Sequence, residues 1–331
     1  PGHGRPGRKE GTRVSGIRLK GTGSALPRQV VTNRDLQRIV ETDDAWIVSR
    51  TGIRERRKCR DETQSSLAEA AARAAMEMAG IGPETVGVCL VPTITADYIT
   101  PSTACVLQNR LDLPEDTVCF DLNAACSGFV YGLHTAQALL AASPRKYGLV
   151  VCSEVLTRIT NYTDRGTCIL FGDGAAAAVV EYGETYPPMP TVLGARGTWD
   201  ILNGPGINRG AEPVLYMEGT AVFRFAVETV PRCMDQVLDR AGLALEDVDE
   251  FVFHQANRRI LEHIRKKCGI PPEKVWMNMD RYGNVSSAST ALALDEVVRA
   301  GRLGPGKRAL CVAFGGGLTW GGALVEMGER T

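Results

Sequence analysis

The amino-acid sequence predicts an α/β protein built from two similar halves, and three observations carry that prediction. First, helical and strand patterns alternate. Amphipathic spacing over 67–78 and 222–241 sits among short apolar runs over 86–91, 147–152 and 308–314. Such alternation predicts parallel strands joined by helical crossovers. Second, three segments recur in the same order. "EMAGIGPETVGVCLVPTIT" (77–95) parallels "DRAGLALEDVDEFVFHQAN" (239–257), "LQNRLDLPEDTVCFDLN" (107–123) parallels "IRKKCGIPPEKVWMNMD" (264–280), and "ILFGDGAAAAVVEY" (169–182) parallels "VAFGGGLTWGGALVEM" (312–327). Third, "YGETYPPMPT" between the two sets reads as a linker. The expected organisation is a leader over 1–13, one half over 14–184 and a second over 185–331. Chemistry is expected at the strand C-termini where the halves meet.

Composition narrows the class of protein. The 331 residues are 44% hydrophobic, enough for a sizeable core, and no apolar run approaches the length of a membrane span. With 38 acidic and 38 basic residues the net charge is zero, so no nucleic-acid or membrane partner is expected and any charged partner must be met by a local patch. The opening "PGHGRPGRKEGTR" is polar and rich in Gly and Pro, unlike a signal peptide, and is left out of the fold prediction. Ten cysteines occur without any C-x-x-C, so thioredoxin-like and zinc-ribbon readings lack support. Cys89, Cys119, Cys152, Cys168 and Cys311 fall in strand-like apolar runs and read as small core residues of a reduced, cytoplasmic protein.

In chain order, the strand predicted over 117–122 runs into Asn123, Ala124 and Ala125, and a helical apolar pattern follows at Cys126, Phe129, Val130, Leu133, Ala136, Leu139 and Leu140. Cys126 thus opens a helix, where free N–H groups and the positive dipole end lower a thiol pKa. The alternative is a buried structural cysteine. Cys105 in "TPSTACVLQ" sits at another possible helix start. Of four histidines, His3 lies in the leader, His134 reads as a core histidine, and His263 as packed or solvated. His254 ends the strand "DEFVFHQAN", where a side chain emerges into a crevice; a histidine bonding a loop carbonyl is the alternative. Matching Val118 with Val275 sets Cys126 opposite Gly283, beside Asn284 in "DRYGNVSSAS", so Asn284 is expected to reach the same junction. Gly-Asn is by itself a common turn. "FGGGLTWGG" is no dinucleotide fingerprint; it reads as a flexible turn or as a backbone that approaches the site closely enough to aim an N–H at an oxyanion.

At this point the motifs coincide with a known family. "WIVSRTGIRERR", "NAACSGF", "TDRGT", "FGDGA", "HQANRRI", "GNVSSAS" and "AFGGGLTWG" occur in order between about Ile17 and Met327. The chain resembles the β-ketoacyl-acyl-carrier-protein synthase III family, initiating condensing enzymes with the thiolase fold. The resemblance implies a layered α-β-α-β-α core, a homodimer and no metal or redox cofactor. It implies that Cys126 takes an acyl group from acyl-CoA. His254 and Asn284 then assist decarboxylative condensation with malonyl-acyl-carrier protein, while the backbone N–H groups of Cys126 and Gly316 hold an oxyanion. A CoA site is implied at Trp46, Arg50 and Arg165, with Thr42 as an expected N-cap, and Gly219 and Phe223 along the pantetheine tunnel. Trp46 and Arg50 are four apart and share a helix face, a pattern equally read as a packed Trp beside a solvated Arg. Carrier protein is implied to dock at Gln255, Ala256, Asn257, Arg258 and Arg259, where five cations face one Glu262 over 258–267. Thr100, in the loop "TADYITPSTA" that the resemblance takes to an acyl tunnel across the dimer, sits near a position that can hold a bulky aromatic, and its smaller side chain would leave more room; primers beyond acetyl-CoA are therefore expected. Rival readings are a starter-unit synthase of polyketide metabolism, another acyltransferase, a non-catalytic thiolase-fold partner, and a redox protein using Cys126.

Overall fold

A computed structural model describes residues 15–206 and 214–329; the leader over 1–13, His3 included, lies outside the described residues. Two main sheets dominate. The first has the strand order Gly16–Ala25, Asp173–Gly183, Tyr147–Val155, Val86–Pro92, Val118–Leu122. The second runs Thr191–Thr198, Gly317–Glu326, Arg308–Gly315, Glu250–Phe253. Read from the same end, each corresponding step has the same sense: antiparallel, antiparallel, then parallel. The fifth strand of the first sheet has its counterpart in a single parallel bridge between Phe251 and Val275. Pairing is therefore mixed, where helix–strand alternation predicted parallel strands. Long hairpin partners, Arg308–Gly315 with Gly317–Glu326 above all, need no crossover and must run antiparallel.

Helices and sheets stack in five layers, visible in three hydrophobic clusters. Gln64–Ala79 and Thr103–Arg110 cover the outer face of the first sheet through Leu67, Ala71, Ala75 and Leu107. Gly128–Leu140 and Ala288–Arg299 fill the space between the sheets through Phe129, Leu133, Leu292 and Val297. Gly219–Ala241 and Arg258–Lys267 cover the second sheet through Phe225, Val230, Leu261 and Ile264. Local chemistry sets the boundaries. Thr63 and Ser66 form a reciprocal cap at the start of Gln64–Ala79, and Gly80 ends it at φ 65°.

The two central helices enter alike. Ala125, at φ 44°, precedes Cys126, and Ser286, at φ 45°, precedes Ser287; a Cβ on Gly128 would lie 3.2 Å from the Ser287 Cβ. The structural counterpart of Cys126 is thus Ser287 rather than Gly283. The short helix Met279–Tyr282 lengthens the second connection and shifts the correspondence. Cys168 lies in the short helix Arg165–Cys168, not in a strand, and His134 is exposed because it falls on the outer stripe of Gly128–Leu140. No helix among the described residues is long and apolar enough to cross a membrane.

Candidate active site

Cys126, His254 and Asn284 line one cavity of about 570 Å³ at the junction of the halves. Cys126 sits in the tight turn Ala125–Ser127 between the strand Val118–Leu122 and its helix. The turn is held from below: Ser127 Oγ donates to the Ala124 carbonyl at 2.7 Å, and Thr319 Oγ1 donates to the same carbonyl at 3.1 Å. Gly315 must be glycine here, since a Cβ would stand 2.8 Å from both the Cys126 Cβ and its N. The glycine run is therefore a close-packed hairpin end against the Cys126 turn, with Gly316 also on the cavity wall.

The thiol does not behave as a helix-start position predicts. Burial pushes it up to about 12, with the Glu154 carboxyl adding in the same direction and the Ser286 hydroxyl opposing both. Cys126 retains some open surface, but that surface is cavity wall enclosed by protein. Removing a thiolate from water outweighs the dipole of the helix that begins two residues on, at Gly128.

His254 follows the strand Glu250–Phe253, and its N–H extends the ladder to the Val312 carbonyl at 2.9 Å. Its ring is 1% exposed and meets Phe314 edge-on at 5.4 Å. Burial lowers its pKa to about 3, so the imidazole is neutral near pH 7. Nδ1 is enclosed without a hydrogen-bond partner among the described residues, which leaves Nε2 for the cavity. Asn284 is pinned by its backbone: its N–H donates to the Leu170 carbonyl and its carbonyl accepts from Gly172. Its Oδ1 accepts from Ser286 N at 2.8 Å, which leaves the NH2 edge to donate. A thiol facing two uncharged donors on an apolar wall can hold an acyl group and stabilise charge on a second carbonyl.

Outside the cavity lining, next to wall residue Asn257, which donates to the Arg50 carbonyl, the structure brings Trp46, Arg50 and Arg165 together. The Arg165 guanidinium lies 4.6 Å from the Trp46 ring centroid and that of Arg50 5.8 Å. The helix Asp44–Thr51 is capped by Asp43, whose carboxylate accepts from Trp46 N at 2.7 Å, and not by Thr42. An ionised Asp side chain one residue closer to the free N–H groups wins the position. Gly219 and Phe223 line the cavity at the start of Gly219–Ala241, and Phe223 packs edge-on against His263 at 5.9 Å.

The segment after His254 divides. Gln255 is fully buried: Nε2 donates to the carbonyls of Phe253 and Trp276, and Oε1 accepts from Asn278 N. It ties the strand to the 276–278 chain and cannot meet a partner from outside. Ala256 is likewise buried, on the cavity wall. Asn257 caps Arg258–Lys267 and donates to the Arg50 carbonyl at 3.2 Å, joining the basic helix to the Trp46 helix. Arg258 and Arg259 remain exposed. Thr100 does not line this cavity within its own chain; it lies on an exposed loop with Tyr98 (58%) and Ile99 (81%).

Sequence reasoning missed two buried groups. Glu154, the penultimate residue of the strand Tyr147–Val155, is fully buried and accepts from Thr95 Oγ1 at 2.6 Å and Ser287 Oγ at 2.7 Å. Ser286 sits on the cavity wall two residues after Asn284. A lone acid in an apolar strand was the available signal for the first; none marked the second.

Fold and site together define a thiolase-fold acyltransferase. The sequence profiles of 3-oxoacyl-[acyl-carrier-protein] synthase III match residues 120–197, and its C-terminal region 238–327. The chain is 47% identical over 322 residues to a β-ketoacyl-[acyl-carrier-protein] synthase III of Xanthomonas campestris, covering 93% of this chain and 98% of that protein. Among solved structures, the synthase III of Thermus thermophilus is similar at 40% identity and TM-score 0.89, over 94% of this chain and 99% of that one. The priming β-ketosynthase of the R1128 polyketide pathway is similar at 35% identity and TM-score 0.90, over all of both chains. The chain belongs to the β-ketoacyl-acyl-carrier-protein synthase III family.

Proposed function

We propose that this enzyme initiates fatty acid synthesis by acyl transfer followed by decarboxylative condensation. One observation carries the reading: a single cavity holds an enclosed thiol and two neutral donors, and an aromatic–guanidinium platform outside it is joined to its wall through Asn257. Cys126 sulfur attacks the acyl-CoA carbonyl, an acyl thioester forms, and the thiol proton leaves on the CoA sulfur. N–H groups of Cys126 and Gly316 hold the tetrahedral oxyanion. Malonyl-acyl-carrier protein then enters and loses CO2. His254 Nε2–H and the Asn284 amide donate to the enolate oxygen, and the enolate carbon attacks the Cys126 thioester, releasing the thiolate and a 3-oxoacyl product. Each step balances without a metal or redox cofactor.

Trp46, Arg50 and Arg165 suit an adenine ring and its phosphates, with Gly219 and Phe223 along the pantetheine arm. Thr42, just before the cap of that helix, belongs to the same CoA site in this reading. Arg258 and Arg259 suit an acidic carrier protein, with Asn257 holding their helix in place. The halves 14–184 and 185–331 are read from the matching strand orders. A homodimer is supported by the edge strand Val118–Leu122, where Val118 and Phe120 are exposed, and by the exposed Tyr98 and Ile99. Thr100 would then serve the partner's acyl tunnel and admit primers beyond acetyl-CoA. A cytoplasmic location accords with ten free thiols.

The test is intact-mass analysis after incubation with a panel of acyl-CoAs. Acyl adducts on the wild type and none on Cys126→Ala are expected. Adducts persisting in the variant would move the nucleophile, with the exposed Cys105 next in line. Likeness to the R1128 priming enzyme favours a second reading, starter-unit supply to a polyketide. Condensation with a polyketide carrier and not with a fatty-acid carrier would select it.

A further inference from the structure

The geometry points to a second binding site, for an aliphatic carboxylate, at the far end of the two helices that start beside the catalytic cavity. A separate cavity of about 560 Å³ lies where the halves join, against the 187–190 connection. Small-molecule sites typically measure about 300–1,000 Å³. Ile17 and Arg18 of its wall come from the first strand, and Leu324 and Glu326 from the last. Two helices relate the cavities end to end. Gly128–Leu140 follows the Cys126 turn and gives His134 and Gln137 to the second wall. Gly219–Ala241 gives Gly219 and Phe223 to the first wall, and Arg240 and Ala241 to the second. At 1.5 Å per helical residue, the two cavities stand roughly 15–25 Å apart.

The two walls differ in charge. No Asp, Glu, Lys or Arg is among the described residues lining the catalytic cavity. Arg18, Arg240 and Arg308 line the second, against a single carboxylate, Glu326, among its described residues. Two of the three already hold that acid, Arg18 at 2.9 Å and Arg308 at 3.5 Å, so the wall demonstrably grips a carboxylate. Arg240 has the Thr191 carbonyl as its hydrogen-bond partner among the described residues. Each guanidinium carries five N–H donors in a fork that fits a carboxylate, so donors remain on all three. Gln137 Oε1 accepts from Met189 N at 2.8 Å, which leaves its NH2 to donate as well. Three cations against one acid leave a surplus of two. The C-terminal dipole of Gly219–Ala241 offsets about half a charge of it. One carboxylate suits that balance better than a polyphosphate.

The rest of the wall selects the body of the ligand. Ile17, Pro187, Pro188, Met189, Leu243 and Leu324 are aliphatic, and no Phe, Tyr or Trp is among the described lining residues. Nothing there stacks a base or an aryl ring, whereas an alkyl chain loses water against every one of these side chains. The site also stays clear of the dimer edge. In the first sheet, Ile17 and Arg18 lie on one outermost strand and Val118–Leu122 is the other.

The test is a titration with decanoate near neutral pH, followed by NMR of the methionine methyl groups in the full chain. Met189 lies on the second wall and Met217 on the catalytic one, so one spectrum reads both cavities. Met189→Leu and Met217→Leu assign the two signals. A saturable shift of Met189 is expected, and a much smaller one with decanol, which has the same chain and no charge. Arg240→Gln and Arg308→Gln are each expected to weaken decanoate binding roughly tenfold, the loss of one hydrogen bond to a charged group. No shift of Met189, an equal shift with decanol, or wild-type affinity in both variants would overturn the inference. Arg308 also holds Glu326, so if its variant fails to fold, Arg240→Gln decides alone. The Met189 signal does not depend on acylation of Cys126, so this result stands or falls separately from the acyl-adduct experiment.

Discussion

The base and the mouth of the cavity solve the recognition of charge in opposite ways. At the base, Cys126, His254 and Asn284 are withdrawn from water, and burial holds the thiol protonated and the imidazole neutral. On the mouth side, outside the cavity lining and beside its wall residue Asn257, Arg50, Arg165, Arg258 and Arg259 are exposed cations. A unit charge pair 4 Å apart is worth about 1 kcal/mol in water and about 4 kcal/mol in a partly buried site. The mouth can afford permanent cations because water screens them. The base cannot, and works instead with dipoles that act only when charge develops. The difference implies that substitutions at the base cost rate, whereas those at the mouth cost salt-dependent affinity.

The largest effect expected tests the base. His254→Ala and Asn284→Ala should each lower condensation roughly 100- to 1,000-fold, the loss typical of one oxyanion donor, while acylation of Cys126 by acyl-CoA falls much less. Release of CO2 from malonyl-carrier protein separates the two steps. A rate inflection near pH 6.5 from His254 would show a solvated imidazole and erase the contrast with the mouth.

The same burial has a signature in stability. His254 in the fold has a pKa lowered from 6.5 to about 3, so the unfolded chain binds the proton first. Its contribution is complete above about pH 6.5 and declines as pH falls from there toward 3. Denaturant midpoints across that window should fall more steeply for wild type than for His254→Gln; equal slopes would show that another group carries the acid sensitivity.

Smaller effects are expected at the mouth. Arg259→Glu should weaken use of malonyl-carrier protein roughly tenfold at low salt, an effect that shrinks as salt rises, with self-acylation preserved. Equal loss of both half-reactions would remove the carrier-docking role. Trp46→Ala should raise KM for acyl-CoA by about 2- to 5-fold, the scale of an exposed cation–π contact. An unchanged KM would leave Trp46 as packing alone.

Much of this was legible in the chain. Helix–strand alternation and the three repeated segments foretold two matching sheets, because periodicity and Pro-Glu turns are local signals. His254 was marked by its place at a strand end, and Trp46 with Arg50 by their spacing on one helix face. Other expectations failed where burial by distant segments decided. Gln255 looked like part of a docking motif, but the 276–278 chain closes over it. Thr42 lost its cap to Asp43 by one residue of register. His134 lay in an apolar helix but on its outer stripe.

What the sequence determined by itself is the order of elements, the duplication and the candidates for the reactive groups, since these depend on residue type and spacing along one chain. What only the tertiary structure decided is the electrostatic state of those groups. Desolvation sums over every segment packed around a site. Cys126 is therefore a reluctant thiol, against its helix-start position, because Glu154 lies behind it and Gly315 presses on its backbone.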